Sequence, residues 1–252
     1  MRSTMLLLFL TIAILISSST NAQAEIITDE YWGANPTQNW SDRDVIGHDY
    51  YFQISKMEVT FNPAGMQVDV YTRYLDNIGV YATALGDLFV STDGWNPKGA
   101  PPYSGDNFHL GGEDWEYALV MDNHTPSTEL GQLSGMVSLY LVDEAKIILS
   151  SAPTGYVYRE GQEVQYNGAG EPLAAGTWSI ENLGGADDDD FLRFIIDYDF
   201  GDVSNYGYHW TITCGNDVME GEDPVPAPEP ATLVLLGTGL LGLAGVRRKL
   251  GS

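Results

Sequence analysis

The stretch Met57-Glu58-Val59-Thr60-Phe61-Asn62-Pro63-Ala64-Gly65-Met66-Gln67-Val68-Asp69-Val70-Tyr71-Thr72 decides how this chain is read. Met57, Val59 and Phe61 fall on alternate positions, as do Met66, Val68, Val70 and Thr72. Alternate side chains of a strand share a face, so each run presents one apolar side. Asn62-Pro63-Ala64-Gly65 between them supplies the residue types that reverse a chain. The spacing predicts a β-hairpin.

Working outward, aromatic and β-branched residues alternate in the same way over 87–91, 115–121, 136–142, 146–150, 162–166, 177–181, 191–200 and 208–214, with Gly, Asn, Asp or Pro between the runs. No long stretch between the two ends carries a helical stripe. About ten short strands with turn-rich connections predict an all-β chain, an antiparallel β-sandwich or jelly roll, with closure into a barrel left open. Trp210, Ile212 and Cys214 share one strand face, which predicts that the single cysteine is buried and, having no partner, makes no internal disulfide.

The two ends read differently. Met1-Arg2 is basic, 5–16 is apolar, and Ala22-Gln23-Ala24 has the small-x-small pattern of a secretory signal peptide. These features predict a signal-peptide helix over 1–24, removed by signal peptidase, and a mature chain from Glu25. At the other end Pro226, Pro228 and Pro230 predict a stiff extended spacer. An uncharged apolar run over 231–246 follows, closed by Arg247, Arg248 and Lys249. As a helix it would reach roughly 24 Å, slightly short of a hydrocarbon core of about 30 Å. The basic cluster predicts that this transmembrane helix leaves its own end in the cytoplasm and everything before it outside. The organisation expected is therefore signal peptide 1–24, β-domain 25–223 and sorting tail 224–252.

Pro228-Glu229-Pro230, the apolar Gly-rich run and the Arg247-Arg248-Lys249 end resemble the PEP-CTERM sorting tail of exported bacterial proteins. The resemblance implies transient anchoring in the inner membrane, recognition by a membrane-embedded exosortase, and delivery to the cell surface or extracellular matrix. A second resemblance lies in His209-Trp210-Thr211-Ile212-Thr213-Cys214-Gly215-Asn216-Asp217, which is similar to the last strand of many such proteins. It implies a shared β-domain type and brings no activity with it. Read physically, it is a terminal core strand followed by a turn in which Asn216 and Asp217 bond local backbone.

Acidic residues number 35 against 11 basic, for a net charge of −24. Four of those basic residues lie in the two end segments, so the body is more acidic still. Nucleic acid and anionic lipid, which require positive charge, are excluded as partners; divalent cations and neutral or cationic polymers, including extracellular polysaccharide, fit. His48, His109, His124 and His209 show no paired ligand spacing with Cys214, which excludes a Cys/His zinc site.

Two acidic groups invite a ligand. Asp187, Asp188, Asp189 and Asp190 repel one another unless a cation sits among them, and calcium accepts irregular oxygen ligation; the same run also reads as a solvated loop guarding a strand edge. Asp87, Asp93, Asp106, Glu113, Asp114 and Glu116 lie in or beside a Gly- and Pro-rich loop over 92–114. Asp87 and Asp93 also suit turn capping. In that loop Trp95, with Tyr103 and Phe108 nearby, predicts either stacking on a sugar beside Asp93 or pinning of the loop to the core. Asp114 and Glu116 share a face if they lie on a strand, at a spacing open to glycosidase chemistry, so a calcium-dependent jelly-roll glycoside hydrolase is the alternative to a structural or glycan-binding matrix protein. No Gly-x-Ser-x-Gly elbow or phosphate loop is present, and no catalytic residue is assigned.

Overall fold

The computed structural model describes residues 24–33, 44–62, 65–106, 114–151, 158–168, 170–184, 190–201 and 203–224. The strands are β1 (Ala24–Thr28), β2 (Ile54–Asn62), β3 (Gly65–Thr72), β4 (Leu88–Ser91), β5 (Tyr117–Met121), β6 (Ser134–Leu141), β7 (Ile147–Leu149), β8 (Glu163–Tyr166), β9 (Ala174–Glu181), β10 (Phe191–Ile196), β11 (Asn205–Thr211) and β12 (Val218–Pro224). A single short helix, α1 (Asp49–Phe52), and brief 3-10 turns complete the described elements. The expected hairpin is β2–β3, with Val59 opposite Val68 and Met57 opposite Val70.

Strands expected to divide between two stacked sheets are instead joined by hydrogen bonds into one antiparallel sheet of ten, in the order β1-β2-β3-β10-β9-β6-β5-β4-β11-β12. Its first and last strands come together, so the sheet is nearly closed like a barrel. The reason is visible in the core. Ile27, Val59, Val68, Val90, Leu119, Val137, Trp178, Phe194, Trp210 and Met219, one from each strand, belong to one buried cluster. A sheet that curls until all its inward side chains touch removes the most apolar area from water. Trp210, Ile212 and Cys214 are all buried as expected, although β11 ends at Thr211 and Cys214 lies in the turn beyond it, and burial raises the Cys214 thiol to about 12.

β7 and β8 form a separate two-stranded ribbon on the outer face. Phe89 and Ala118, which point outward from β4 and β5, pack there with Trp115 and Tyr166. Asp87 fastens ribbon to sheet: its carboxylate accepts from Tyr166 N at 2.8 Å and Met121 N at 2.9 Å, and meets His124 Nε2 at 2.7 Å.

Three expectations need correction. The run 208–214 is not the last strand, because β12 follows it and pairs along β11. The run 191–200 is a strand only to Ile196; Tyr198 and Phe200 leave the ladder and pack against Tyr117 at 6.0 and 5.0 Å. β5 begins at Tyr117, so Asp114 and Glu116 precede it and do not share a strand face. Among the described residues no helix is long and apolar enough to cross a membrane. The helices expected in the end segments lie outside the described residues, apart from the flanking Ala24 and Pro224.

Candidate functional site

Where β1 meets β12, Gly221 faces Ile27 so closely that an added Cβ would strike the isoleucine side chain. That missing side chain lets the two edges approach. At this seam lies a cavity of about 210 Å³. Thr28 and Glu30 line it from one edge, Glu220 and Glu222 from the other, and Trp95 and Tyr103 from the long loop.

The loop is held in place from both sides. Trp95 Nε1 donates to Glu220 Oε2 at 3.0 Å, and Trp32 N donates to the Pro102 carbonyl at 2.9 Å. The Trp95 ring meets Tyr103 edge-on at 5.1 Å, and Tyr31 stacks on Tyr103 at 6.0 Å. Trp95 therefore pins the loop and lines the cavity at once, so the two sequence readings of it are compatible. Asp93 is exposed, its amide donates to Ser91 Oγ at 3.2 Å, and it does not line the cavity.

Behind the cavity wall is a buried polar chain. His209 lies directly opposite Glu220 in the β11–β12 ladder, and its Nδ1 is 2.6 Å from Glu220 Oε1. Its Nε2 faces the Glu163 carbonyl, which only accepts, so Nε2 carries a proton and donates. One further proton is then shared between Nδ1 and Glu220. Trp115 Nε1 donates to Glu163 Oε1 at 3.1 Å. Both ring nitrogens of His209 are thus engaged within the protein.

Burial raises the Glu163 carboxyl from its ordinary 4.5 to about 7, against a smaller opposing pull from His209. Between those values the folded chain retains a proton that the unfolded chain releases, so this group's contribution to stability falls as pH rises, by on the order of 3 kcal/mol in full. Burial lowers the pKa of His209, which works in the opposite sense as pH falls through the unfolded histidine range. Glu163→Gln is expected to flatten the decline between about pH 5 and about pH 8 in urea unfolding. A slope equal to the parent's would contradict this assignment.

The other expected residues are distributed as follows. Asp187, Asp188 and Asp189 lie outside the described residues, as do Phe108, His109 and Glu113. Asp190 is buried at the start of β10, where its carbonyl accepts from Thr72 N at 3.2 Å. Glu116 Oε2 accepts from Thr92 N at 2.7 Å and so closes the long loop, whereas Asp114 is exposed. Asp106 is buried and accepts from Lys98 N at 3.1 Å. Ala24 opens β1; Ala22, Pro228, Glu229, Pro230, Arg247, Arg248 and Lys249 lie outside the described residues.

Among the described residues, two sets of ligating side chains converge, Glu163–His209–Glu220 and Asp29–Asp44–Asp217. Neither was anticipated from the sequence. Burial first, then the neighbouring carboxylates, pushes Asp29 far above the usual carboxylate range, and burial does the same to Asp217.

Residues 226–249 match the family described as the PEP-CTERM protein-sorting motif. Comparison with curated proteins and with solved structures finds no match.

Proposed function

We propose, for a chain that carries a PEP-CTERM sorting motif and is thereby an exported exosortase substrate, that its acidic β-domain works at the cell surface or in the extracellular matrix as a binding module for neutral or amino-sugar polysaccharide. The observation that carries this reading is that Trp95 and Tyr103 line one cavity together with Glu30, Glu220 and Glu222. Aromatic rings offer an apolar face to a sugar, and carboxylates accept its hydroxyl protons or pair with an ammonium group. At about 210 Å³ the cavity is smaller than the roughly 300–1,000 Å³ of drug-sized sites, which suits one sugar unit of a chain whose remainder lies along the surface.

Binding is favoured over hydrolysis because the Glu220 oxygens are engaged by His209 and Trp95, and Glu116 by Thr92. Titration of the protein with soluble neutral and deacetylated polysaccharides tests the reading. Trp95→Ala is expected to weaken binding by about tenfold or more, the effect of losing a central aromatic anchor. No new reducing ends are expected on prolonged incubation. Equal affinity in parent and variant would leave Trp95 as a packing residue only.

A further inference from the structure

We propose that Asp29, Asp44 and Asp217 form a calcium-binding site that joins three segments remote in sequence: the residues after β1, the loop before α1 and the turn between β11 and β12. One carboxylate oxygen from each lies within 4.8 Å of the others. Both oxygens of Asp29 and Oδ1 of Asp44 are shut off from solvent and meet no donor except, when one of the two carboxyls holds a proton, each other. Carboxylates in that condition are costly unless a cation meets them. Asp217 is fully buried and already oriented, since its oxygens accept from the Ile54 and Val218 amides. Each oxygen keeps a lone pair for a metal.

An independent observation comes from Arg159, which is 1% exposed. Its Nη2 donates to the Asp44 carbonyl, while Nε and Nη1 have no partner, and its charge acts on all three carboxylates. With all three carboxylates ionised, as calcium would require, three negative charges against this one positive charge leave two uncompensated, the deficit that one divalent cation fills. The side-chain oxygen of Asn216, next to Asp217, is also buried without a partner and adds a neutral oxygen of the kind calcium accepts. An all-oxygen donor set drawn from irregular segments suits calcium, which tolerates variable geometry, better than magnesium, which demands a near-ideal octahedron. Asp29, Asp44 and Asp217 do not line the seam cavity, although Thr28 and Glu30 on either side of Asp29 do, and the proposal does not depend on sugar binding.

The test uses the full chain in detergent, stripped with chelator, and calcium alone as the probe. Thermal unfolding at about 1 mM calcium is expected roughly 5–10 °C above the chelated sample, with little effect from magnesium. Asp29→Asn removes one charge from a crowded site. It is expected to melt no lower than the parent in chelator and to lose the calcium shift. Asp44→Asn serves the same purpose if Asp29→Asn does not fold. Terbium, which replaces calcium, is expected to luminesce through nearby tyrosine and tryptophan in the parent but not in either variant. A parent with neither calcium shift nor terbium signal overturns the proposal. So does an Asp29→Asn protein that responds like the parent, which would place any ion elsewhere, as would loss of the shift only in Asp188→Ala with Asp190→Ala.

Discussion

Replacing Trp210 by alanine is expected to cost about 3–5 kcal/mol, enough to unfold most of a marginally stable domain. The indole is wholly buried in the cluster to which every strand of the large sheet contributes. It sits on β11, whose neighbours are β4 and β12, so the void would open in the core against these three strands. The ring also has a polar task, because Nε1 donates to the Gly86 carbonyl at 3.2 Å. Gly86 is itself closely packed. Backbone oxygens of Thr211 and Val164 crowd the space where its side chain would be. Trp210→Phe, which fills part of the volume but leaves that carbonyl unpaired, is expected to fall between, at about 1–3 kcal/mol. Urea unfolding measures both, and a Trp210→Ala protein with the parent's midpoint would contradict this core.

The second large effect concerns the sorting tail. Pro228→Ala combined with Pro230→Ala alters the start of the matched motif and leaves the β-domain untouched. It is expected to shift the protein from the cell surface and medium to the membrane fraction by at least about tenfold, the change that about 1.4 kcal/mol of lost recognition produces. Substitution of Trp95 in the same experiment is expected to leave that distribution unchanged until polysaccharide is supplied. Fractionation followed by immunoblotting reads both, and unaltered release of the double proline variant would remove the tail from the sorting step.

Much of the fold was legible because its strands are amphipathic. Met57, Val59, Val68 and Val70 alternate cleanly, and their register follows from a short turn. What escaped lies at the edges. β1 has only Ile27 buried among its five residues, and it begins where the signal peptide was expected to end. β12 reads Val218-Met219-Glu220-Gly221-Glu222-Asp223-Pro224, too acidic and too rich in Gly and Pro to resemble a strand. Its pairing is dictated by β11 and by the turn before it, not by its own pattern. Long-range order is the other omission. Alternation tells which face of a strand is buried but not which strand lies beside it, so one rolled sheet and two stacked sheets look alike in sequence.

The candidate site was half visible for the same reason. Trp95 and Tyr103 stand out in a Gly- and Pro-rich loop that has few aliphatic residues to bury. Glu220 could have been found only by folding 205–224 about Cys214-Gly215-Asn216-Asp217, which sets His209 against it. Asp217 looked like a local turn cap and does accept from Val218, but its other oxygen reaches Ile54, which no local rule predicts. Asp29 and Asp44 carry no spacing signal toward it at all.

Mass spectrometry of the protein recovered from cells and from medium tests the central claim most directly. The account predicts a mature species that starts at Glu25, the second residue of β1, and that has lost residues from the matched sorting segment, outside the cytoplasm. An uncut 252-residue chain recovered from the cytosol would contradict it.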